Sequence, residues 1–177
     1  MFIMTGKKFL NSVSKSRVDL VQLLLEVLAE TGAEYCVIGG LAVNAYAEPV
    51  VSLDLDLVVE ARKIESVCKS AEDKGLNVKP FEHSINISSP HSDLRIQLQI
   101  DARYQAFLPR AVQKDILGYP MKVAALKDVL IGKIWSYLDE TRRKSKRQKD
   151  LADIYRLLEA YPDLKKELPR HLRKKLE

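Results

Sequence analysis

Apolar residues recur at helix or strand spacing along most of this 177-residue chain. Residues 16–31 form the first clear helical pattern, with Ser16 as the expected N-cap and Gly32 as the expected C-cap. An apolar strand at 35–38, two glycines and a short helix at 41–47 follow directly. A strand, a turn and a helix in this order indicate the beginning of an α/β fold.

The rest of the pattern predicts a mixed α/β (α+β) fold. A second strand covers 50–59, and two arms of a hairpin cover 84–88 and 94–100. The other predicted segments are a helix at 62–74, an extended stretch at 76–81, a helical or irregular stretch at 103–111, a small edge hairpin at 116–123, a helix at 126–140, a basic loop at 142–147 and a helix at 148–160. We expect a mixed twisted sheet flanked by helices within 1–123, and a C-terminal helical portion, 124–177, packed on it.

Composition narrows the class of protein. Hydrophobic residues make up 46% of the chain, which is ordinary for a globular protein, and the 30% of charged residues is slightly high. No apolar run is long enough for a membrane span, and the first residues lack a signal-peptide pattern. Two cysteines favour reduced thiols in a cytoplasmic protein. The pI near 9.1 fits a polyphosphate or nucleic-acid partner without distinguishing them.

The second predicted strand carries two carboxylates on one face. Asp54 and Asp56 alternate with leucines, so their side chains point the same way, with Cα atoms about 6.6 Å apart. Two anions this close on an apolar strand are costly unless a positive group neutralises them. A divalent metal does so, and a pair of ions about 3.5–4 Å apart is usual in phosphoryl transfer. The pair therefore predicts a magnesium site.

The residues around the acids complete a candidate phosphate site. Gly39 and Gly40, at a strand-to-helix turn, would let the backbone approach a phosphate, although a tight turn without a ligand is the alternative. Ser52 lies on the same face as the acids, where it would assist a phosphate or a metal-bound water, or only bond the backbone. Thirteen residues separate Gly40 from Asp54, which suits a helix between two neighbouring strands.

These motifs resemble the nucleotidyltransferase superfamily of the polymerase-β type. The likeness is to its compact bacterial branch, grouped with abortive-infection toxins, and it rests on Ile-Gly-Gly-Leu-Ala at 38–42 and Ser-Leu-Asp-Leu-Asp at 52–56. It covers about residues 34–159. The resemblance implies a nucleotidyltransferase-like fold, Mg²⁺, an NTP substrate, an acceptor that is RNA, protein or a small molecule, and an antitoxin as a possible protein partner.

One position departs from the family pattern. Family members usually carry a third carboxylate on a neighbouring strand, and the corresponding residue is Gln97. Asp101 lies on the same face about 13 Å further along, and Asp93 lies in the turn before. We expect Asp101 to serve as the third catalytic acid. If neither serves, the site binds metal less tightly and lacks a base for the acceptor.

Basic residues near the C-terminus supply candidate phosphate ligands. Lys133 and Lys149, with Arg147, would converge on the triphosphate or on an acceptor nucleic acid, although a solvated basic loop is the alternative. Two function hypotheses result. The first is a metal-dependent nucleotidyltransferase, and the second, motivated by Gln97, is a degenerate domain that binds nucleotide, RNA or a partner protein without transfer.

Overall fold

The computed structural model describes residues 4–175. Within this range the α-helices α1–α7 span Gly6–Val13, Leu20–Thr31, Gly39–Asn44, Ile64–Asp73, Leu126–Leu138, Lys144–Ala160 and Arg170–Lys175. The strands β1–β7 span Tyr35–Ile38, Asp54–Val59, Asn77–Pro80, Ser84–Ser89, Ser92–Gln99, Val112–Ile116 and Tyr119–Val123. Three 3₁₀ helices span Ala61–Lys63, Ala102–Arg110 and Pro162–Glu167.

The seven strands form one mixed sheet in the order β3-β4-β5-β2-β1-β7-β6. Strand β2 lies at the centre, antiparallel to β1 and parallel to β5. The hairpin β4–β5 extends the sheet on one side, and β6–β7 extends it on the other. This architecture confirms the predicted mixed α/β sheet flanked by helices.

The strand register sets a polar row across the sheet. Because β1 and β2 are antiparallel, the last residue of β1, Ile38, lies opposite Asp56. Asp56 in turn lies opposite Gln97 on β5, and Gln97 lies opposite Asn86 on β4. The end of β1, where the double glycine begins, therefore meets the start of β2, where the two acids lie.

Helices cover the sheet and bury one continuous core. The alternation along β5 buries Leu94, Ile96 and Leu98 and leaves the residues between them on the opposite face. Helix α2 packs against α4, while α5 and α6 pack on each other and on α3. No helix in the described range is long and apolar enough to cross a membrane.

One additional helix and two element boundaries differ from the sequence prediction. Helix α1 was not predicted. Helix α2 begins at Leu20 with Asp19 as its N-cap, because the Ser16 hydroxyl instead bonds Ser14 and Ser92. Strand β2 begins at Asp54 rather than at residue 50, since Val50 and Val51 lie in an exposed loop.

The predicted basic loop is mostly helical. Lys144 opens α6, so residues 144–147 form its first turn and only Arg142 and Arg143 precede it. The predicted boundary between residues 123 and 124 falls in the connection between β7 and α5. The division of the chain at that point stays a prediction.

Candidate active site

Two carboxylates open strand β2. Asp54 and Asp56 alternate with the buried Leu55 and Leu57, so they lie on the same face of the sheet. Both line a cavity of about 170 Å³ under helices α5 and α6, here called the acid cavity. Its other lining residues are Gly40, Ser52, Asn86, Arg95, Gln97, Lys133, Arg142, Lys146, Lys149 and Asp150.

Gly39 brings the start of α3 against the Asp56 carboxylate. Its φ of +69° is left-handed, a conformation that favours glycine. A Cβ at this position would lie 2.2 Å from Asp56 Oδ2. A Cβ at Gly40 would approach nothing closer than Ser52 Oγ at 3.8 Å. The close contact between the glycine turn and the acids thus depends on position 39.

Ser52 shapes the backbone that leads into the acids. Its hydroxyl donates to the Asp54 carbonyl at 3.2 Å and accepts from the Asp54 amide at 3.3 Å. These two bonds tie the hydroxyl to the strand start. Ser52 also lines the acid cavity, so it lies where the sequence prediction put it.

The charges of Asp54 and Asp56 are neutralised to different extents by their surroundings. Asp54 forms an ion pair with Arg95 at 2.7 Å and a longer one with Lys146 at 3.8 Å. Asp56 forms no ion pair with any residue between 4 and 175. Burial raises the pKa of Asp56, Lys133 counteracts this, and the neighbouring Asp54 carboxylate raises the pKa further. Of the two acids on β2, Asp54 is therefore paired with cations, whereas Asp56 is costly to ionise.

Lys133 is buried in the cavity wall. Its ammonium lies 3.0 Å from Asp150 Oδ1 and 2.6 Å from Asp153 Oδ2. Burial acts to lower the pKa of Lys133, but the attraction of Asp153 and Asp150 outweighs it, and the pKa is raised. Lys133 therefore stays charged, held between α5 and α6. Lys149 is exposed at the edge of the same cavity.

The predicted third acid lies elsewhere. Strand β5 ends at Gln99, and Asp101 caps the following 3₁₀ helix by accepting from the Arg103 amide at 2.9 Å. Its carboxylate pairs with the Arg103 guanidinium at 2.7 Å, and that bond holds the pKa of Asp101 below its usual value. The structure does not bring Asp101 to Asp54 and Asp56, because the chain turns away before reaching it. Asp93, the other option, pairs with Lys15.

Two further cavities adjoin the acid cavity. An inner cavity of about 90 Å³ contains Gly39 and Asp56, and an outer cavity of about 630 Å³ contains Asp101 and Arg103. Gln97 and Arg142 line all three. The three openings therefore meet around these two side chains.

Sequence reasoning missed three polar residues of the site. Asn86 carries a buried Oδ1 with no hydrogen-bond partner in the described part of the chain. The other two are Asp150 and Arg142, and the sequence pattern places Arg142 only within a basic loop. Asn86 alternates with Ile85 and Ile87, so its side-chain direction was predictable, but its neighbour Gln97 depends on the strand register.

The donor set fits a magnesium ion that accompanies a nucleotide. Mg²⁺ prefers oxygen ligands and is commonly held by one or two carboxylates together with substrate phosphates. Asp54 and Asp56 supply two carboxylates, and the orphaned Asn86 Oδ1 supplies a further buried oxygen in the same cavity. Among residues 4–175, no three His, Cys, Asp or Glu side chains cluster into a metal site. The residues present therefore fit a Mg²⁺ site in which the phosphates of the nucleotide supply the remaining oxygen ligands.

The sequence matches a family model over nearly its whole length. Residues 22–177 match the model described as nucleotidyl transferase AbiEii toxin, Type IV TA system. The chain belongs to the AbiEii nucleotidyltransferase toxin family. The matched range includes the glycine turn, both acids and helices α5 and α6. No curated protein matches the AbiEii-family chain in sequence.

Solved structures share the fold at low sequence identity. The structure of ANT(2")-Ia in complex with adenylyl-2"-tobramycin has a TM-score of 0.64 and 15% identity, over 88% of this chain and 95% of that chain. The lincosamide adenylyltransferase LnuA, lincomycin-bound, has a TM-score of 0.54 and 9% identity, over 81% and 99%. A nucleotidyltransferase-like protein from Paracoccidioides brasiliensis has a TM-score of 0.50 and 18% identity, over 78% and 74%. The nucleotidyltransferase-like fold is thus confirmed.

Proposed function

We propose that this AbiEii-family protein is a metal-dependent nucleotidyltransferase that moves a nucleoside monophosphate from an NTP to an acceptor. The observation that carries the proposal is the placement of Asp54 and Asp56 on one face of β2, in a cavity next to the double glycine. Family membership supports the same reaction class. The acceptor would be an RNA, a protein or a small molecule.

Each predicted site residue other than Asp101 has a proposed role. Asp54 and Asp56 would hold Mg²⁺, which would neutralise charge on the phosphates. Gly39 and Gly40 would present backbone N–H groups to the triphosphate. The phosphate-binding set also includes Ser52, Lys149 at the cavity edge and Lys133, which offsets acidic charge from within the wall.

The reaction joins the acceptor to the α-phosphate. An acceptor hydroxyl or phosphate oxygen would form a bond to the α-phosphorus, while the bond to the pyrophosphate oxygen breaks and pyrophosphate leaves. Charge develops on the phosphoryl oxygens during this exchange, so fixed cations around Asp56 favour it. On β5 the residue opposite Asp56 is Gln97, so that strand offers no carboxylate there to act as a base.

Transfer of label from NTP tests the proposal. Purified protein incubated with α-³²P-NTP, Mg²⁺ and candidate acceptors is expected to form a labelled product, and chelation of Mg²⁺ to abolish it. Asp54→Asn and Asp56→Asn are expected to lower the rate by at least about 100-fold. Undiminished activity in both variants would refute these roles.

A second function is favoured by Gln97. Its position opposite Asp56 leaves an amide where relatives place a third acid, which suits a domain that binds nucleotide, RNA or a partner protein without transfer. Calorimetry with NTP and Mg²⁺, run beside the transfer assay, separates the two functions. Binding without product favours the second function, and product formation excludes it.

The family also suggests a biological setting. Type IV toxin–antitoxin membership fits a cytoplasmic toxin whose action an antitoxin opposes. An adjacent gene for a small antitoxin would support this setting. Growth arrest on expression of the protein, relieved by that gene and absent for Asp54→Asn, is the expected result.

A further inference from the structure

A buried carboxylate joins two cations in the wall above the acids. Asp150 on α6 is 2% exposed and accepts from Lys133 Nζ at 3.0 Å and from Arg142 Nε at 2.8 Å. Lys133 is shared with Asp153 on the same helix. A hydrogen-bonded carboxylate in such surroundings is well fixed, because releasing either cation would leave charge buried without a partner.

Arg142 is the member of this group that reaches the open site. Its side chain is 40% exposed, and its residue lines the acid, inner and outer cavities. Its Nε is bound to Asp150, whereas its two Nη nitrogens have no hydrogen-bond partner among residues 4–175. A guanidinium held by Nε still presents a planar edge with several N–H donors, the geometry that binds a phosphate through two bonds.

Three other cations in this region have partners of a different kind. Arg95 and Lys146 pair with Asp54. Arg147 donates to the Tyr137 carbonyl at 2.8 Å and so secures the end of α5 rather than the cavity. Arg142 alone among these arginines is both fixed by a buried carboxylate and directed to the junction of the three cavities.

We propose that Arg142 binds the phosphates of the nucleotide and that Asp150 is the positioning residue that aims it. The proposal rests on the proposed function, because the ligand is the NTP of that reaction. Arg142 lines the inner cavity and the acid cavity together with Asp56, which places it beside the acids. Through Arg142 and Asp150, the connection between α5 and α6 and helix α6 would take part in phosphate binding together with the glycine turn.

Calorimetry with two probes tests this assignment without an acceptor. Wild type is titrated with a non-hydrolysable NTP in Mg²⁺, and separately with inorganic pyrophosphate. Arg142→Gln is expected to raise both Kd values by about 10–100-fold, because a charge-assisted bidentate contact is lost. Arg142→Lys is expected to restore part of the affinity, since it keeps the charge but not the fork.

Two comparisons give the test its specificity. Arg143→Gln removes the same charge from the adjacent exposed residue and is expected to leave both Kd values within about twofold. Asp150→Asn is expected to weaken binding in the wild-type background but to add little in Arg142→Gln, as residues acting through one contact are non-additive. Circular dichroism and Tm report whether each variant folds.

The outcomes separate the two proposals. If Arg142→Gln and Arg142→Lys bind the nucleotide as tightly as wild type does, the role of Arg142 is overturned. The nucleotidyltransferase proposal then stays intact. Equal losses of affinity in Arg142→Gln and Arg143→Gln would show that the effect depends only on net charge. This result also overturns the assignment. Wild type that binds neither probe overturns both proposals.

Discussion

At the scale of single residues, the site depends on the lack of a side chain at Gly39. Gly39 allows the first turn of α3 to lie against Asp56, and its left-handed φ of +69° sets the direction of the turn. Asp56 in turn lies in a wall that raises its pKa by burial. The site thus accepts a conformational and an electrostatic cost at adjoining positions, as binding sites commonly do.

Gly39→Ala is expected to damage the site and the fold together. The new Cβ would lie 2.2 Å from Asp56 Oδ2 and would require a left-handed φ, so we expect destabilisation of at least about 1–2 kcal/mol. Gly40→Ala is the matched control for stability, because its Cβ would be 3.8 Å from the nearest atom. Urea denaturation measures both, and equal losses for the two variants would contradict the explanation.

Asp56→Asn is expected to stabilise the metal-free protein. Because the folded-state pKa of Asp56 is raised, the unfolded chain loses this proton at lower pH than the folded chain does. The folded state therefore loses stability as pH rises between the two pKa values, and the cost is fully present above the folded one. We expect a Tm a few degrees above wild type at neutral pH.

The pH dependence distinguishes this effect from other causes. The Tm difference between Asp56→Asn and wild type should shrink as pH falls below the usual aspartate pKa, when measured in EDTA. Asp73→Asn, at an exposed position on α4, controls for the general loss of an acidic charge. A lower Tm for Asp56→Asn at every pH would count against the burial cost.

At the scale of elements, the connection between α3 and β2 is fastened to helix α6. The Asn44 side chain donates to the Val50 carbonyl at 2.7 Å and accepts from the Val50 amide at 3.0 Å. Arg156 on α6 donates to Asn44 Oδ1 at 2.8 Å and also to the Glu48 carbonyl. Asp153 holds the other end of the same guanidinium at 2.7 Å. The loop that delivers Asp54 is therefore fixed from the C-terminal helices.

Arg156→Gln is expected to loosen residues 45–53. Loss of these charge-assisted bonds should cost about 1–3 kcal/mol and increase hydrogen–deuterium exchange in the loop, while strands β3 and β4 remain unchanged. Arg62→Gln is the control, because the Arg62 side chain is exposed and pairs with Glu60 at the surface, so its loss should change Tm little. Unaltered hydrogen–deuterium exchange at 45–53 in Arg156→Gln would show that Arg156 does not hold this loop in place.

At the scale of the whole molecule, the site is assembled from both halves of the chain. Strand β2 supplies the acids, and β4 and β5 supply Asn86 and Gln97. Helix α5 supplies Lys133, and the connection between α5 and α6 supplies Arg142. The cavity lies between the sheet and these helices, so a ligand that touches both would hold them together. Binding and global stability should therefore be coupled.

Mg²⁺ and a non-hydrolysable NTP together are expected to raise Tm more than either alone. Ligand at 100 times its Kd stabilises by about 2.7 kcal/mol, which corresponds to about 5–11 °C for a chain of this size. Differential scanning fluorimetry measures the shift, and Asp54→Asn should lose the part that depends on Mg²⁺. Identical curves with and without both ligands would speak against a nucleotide site.

The sequence by itself determined the features that depend on local spacing. Strand alternation with period two places Asp54 and Asp56 on one face whatever the rest of the chain does. The order of strand, glycine pair, helix and acidic strand indicated the fold and the family, and the family match and the structural neighbours confirm both. Ends of elements were less predictable, since Ser16 and residues 50–53 are used in tertiary contacts instead.

Only the tertiary structure decided which distant polar groups meet the acids. Asp101 shares a face with Gln97 in the sequence pattern, yet the chain turns at Gln99 and Asp101 pairs with Arg103. Neither Asn86 nor Arg142 was a predicted site residue, but strand register and helix packing place both in the acid cavity. Periodicity fixes the direction of a side chain on its own element, whereas its neighbours across the sheet follow from pairing and packing energies summed over the whole chain.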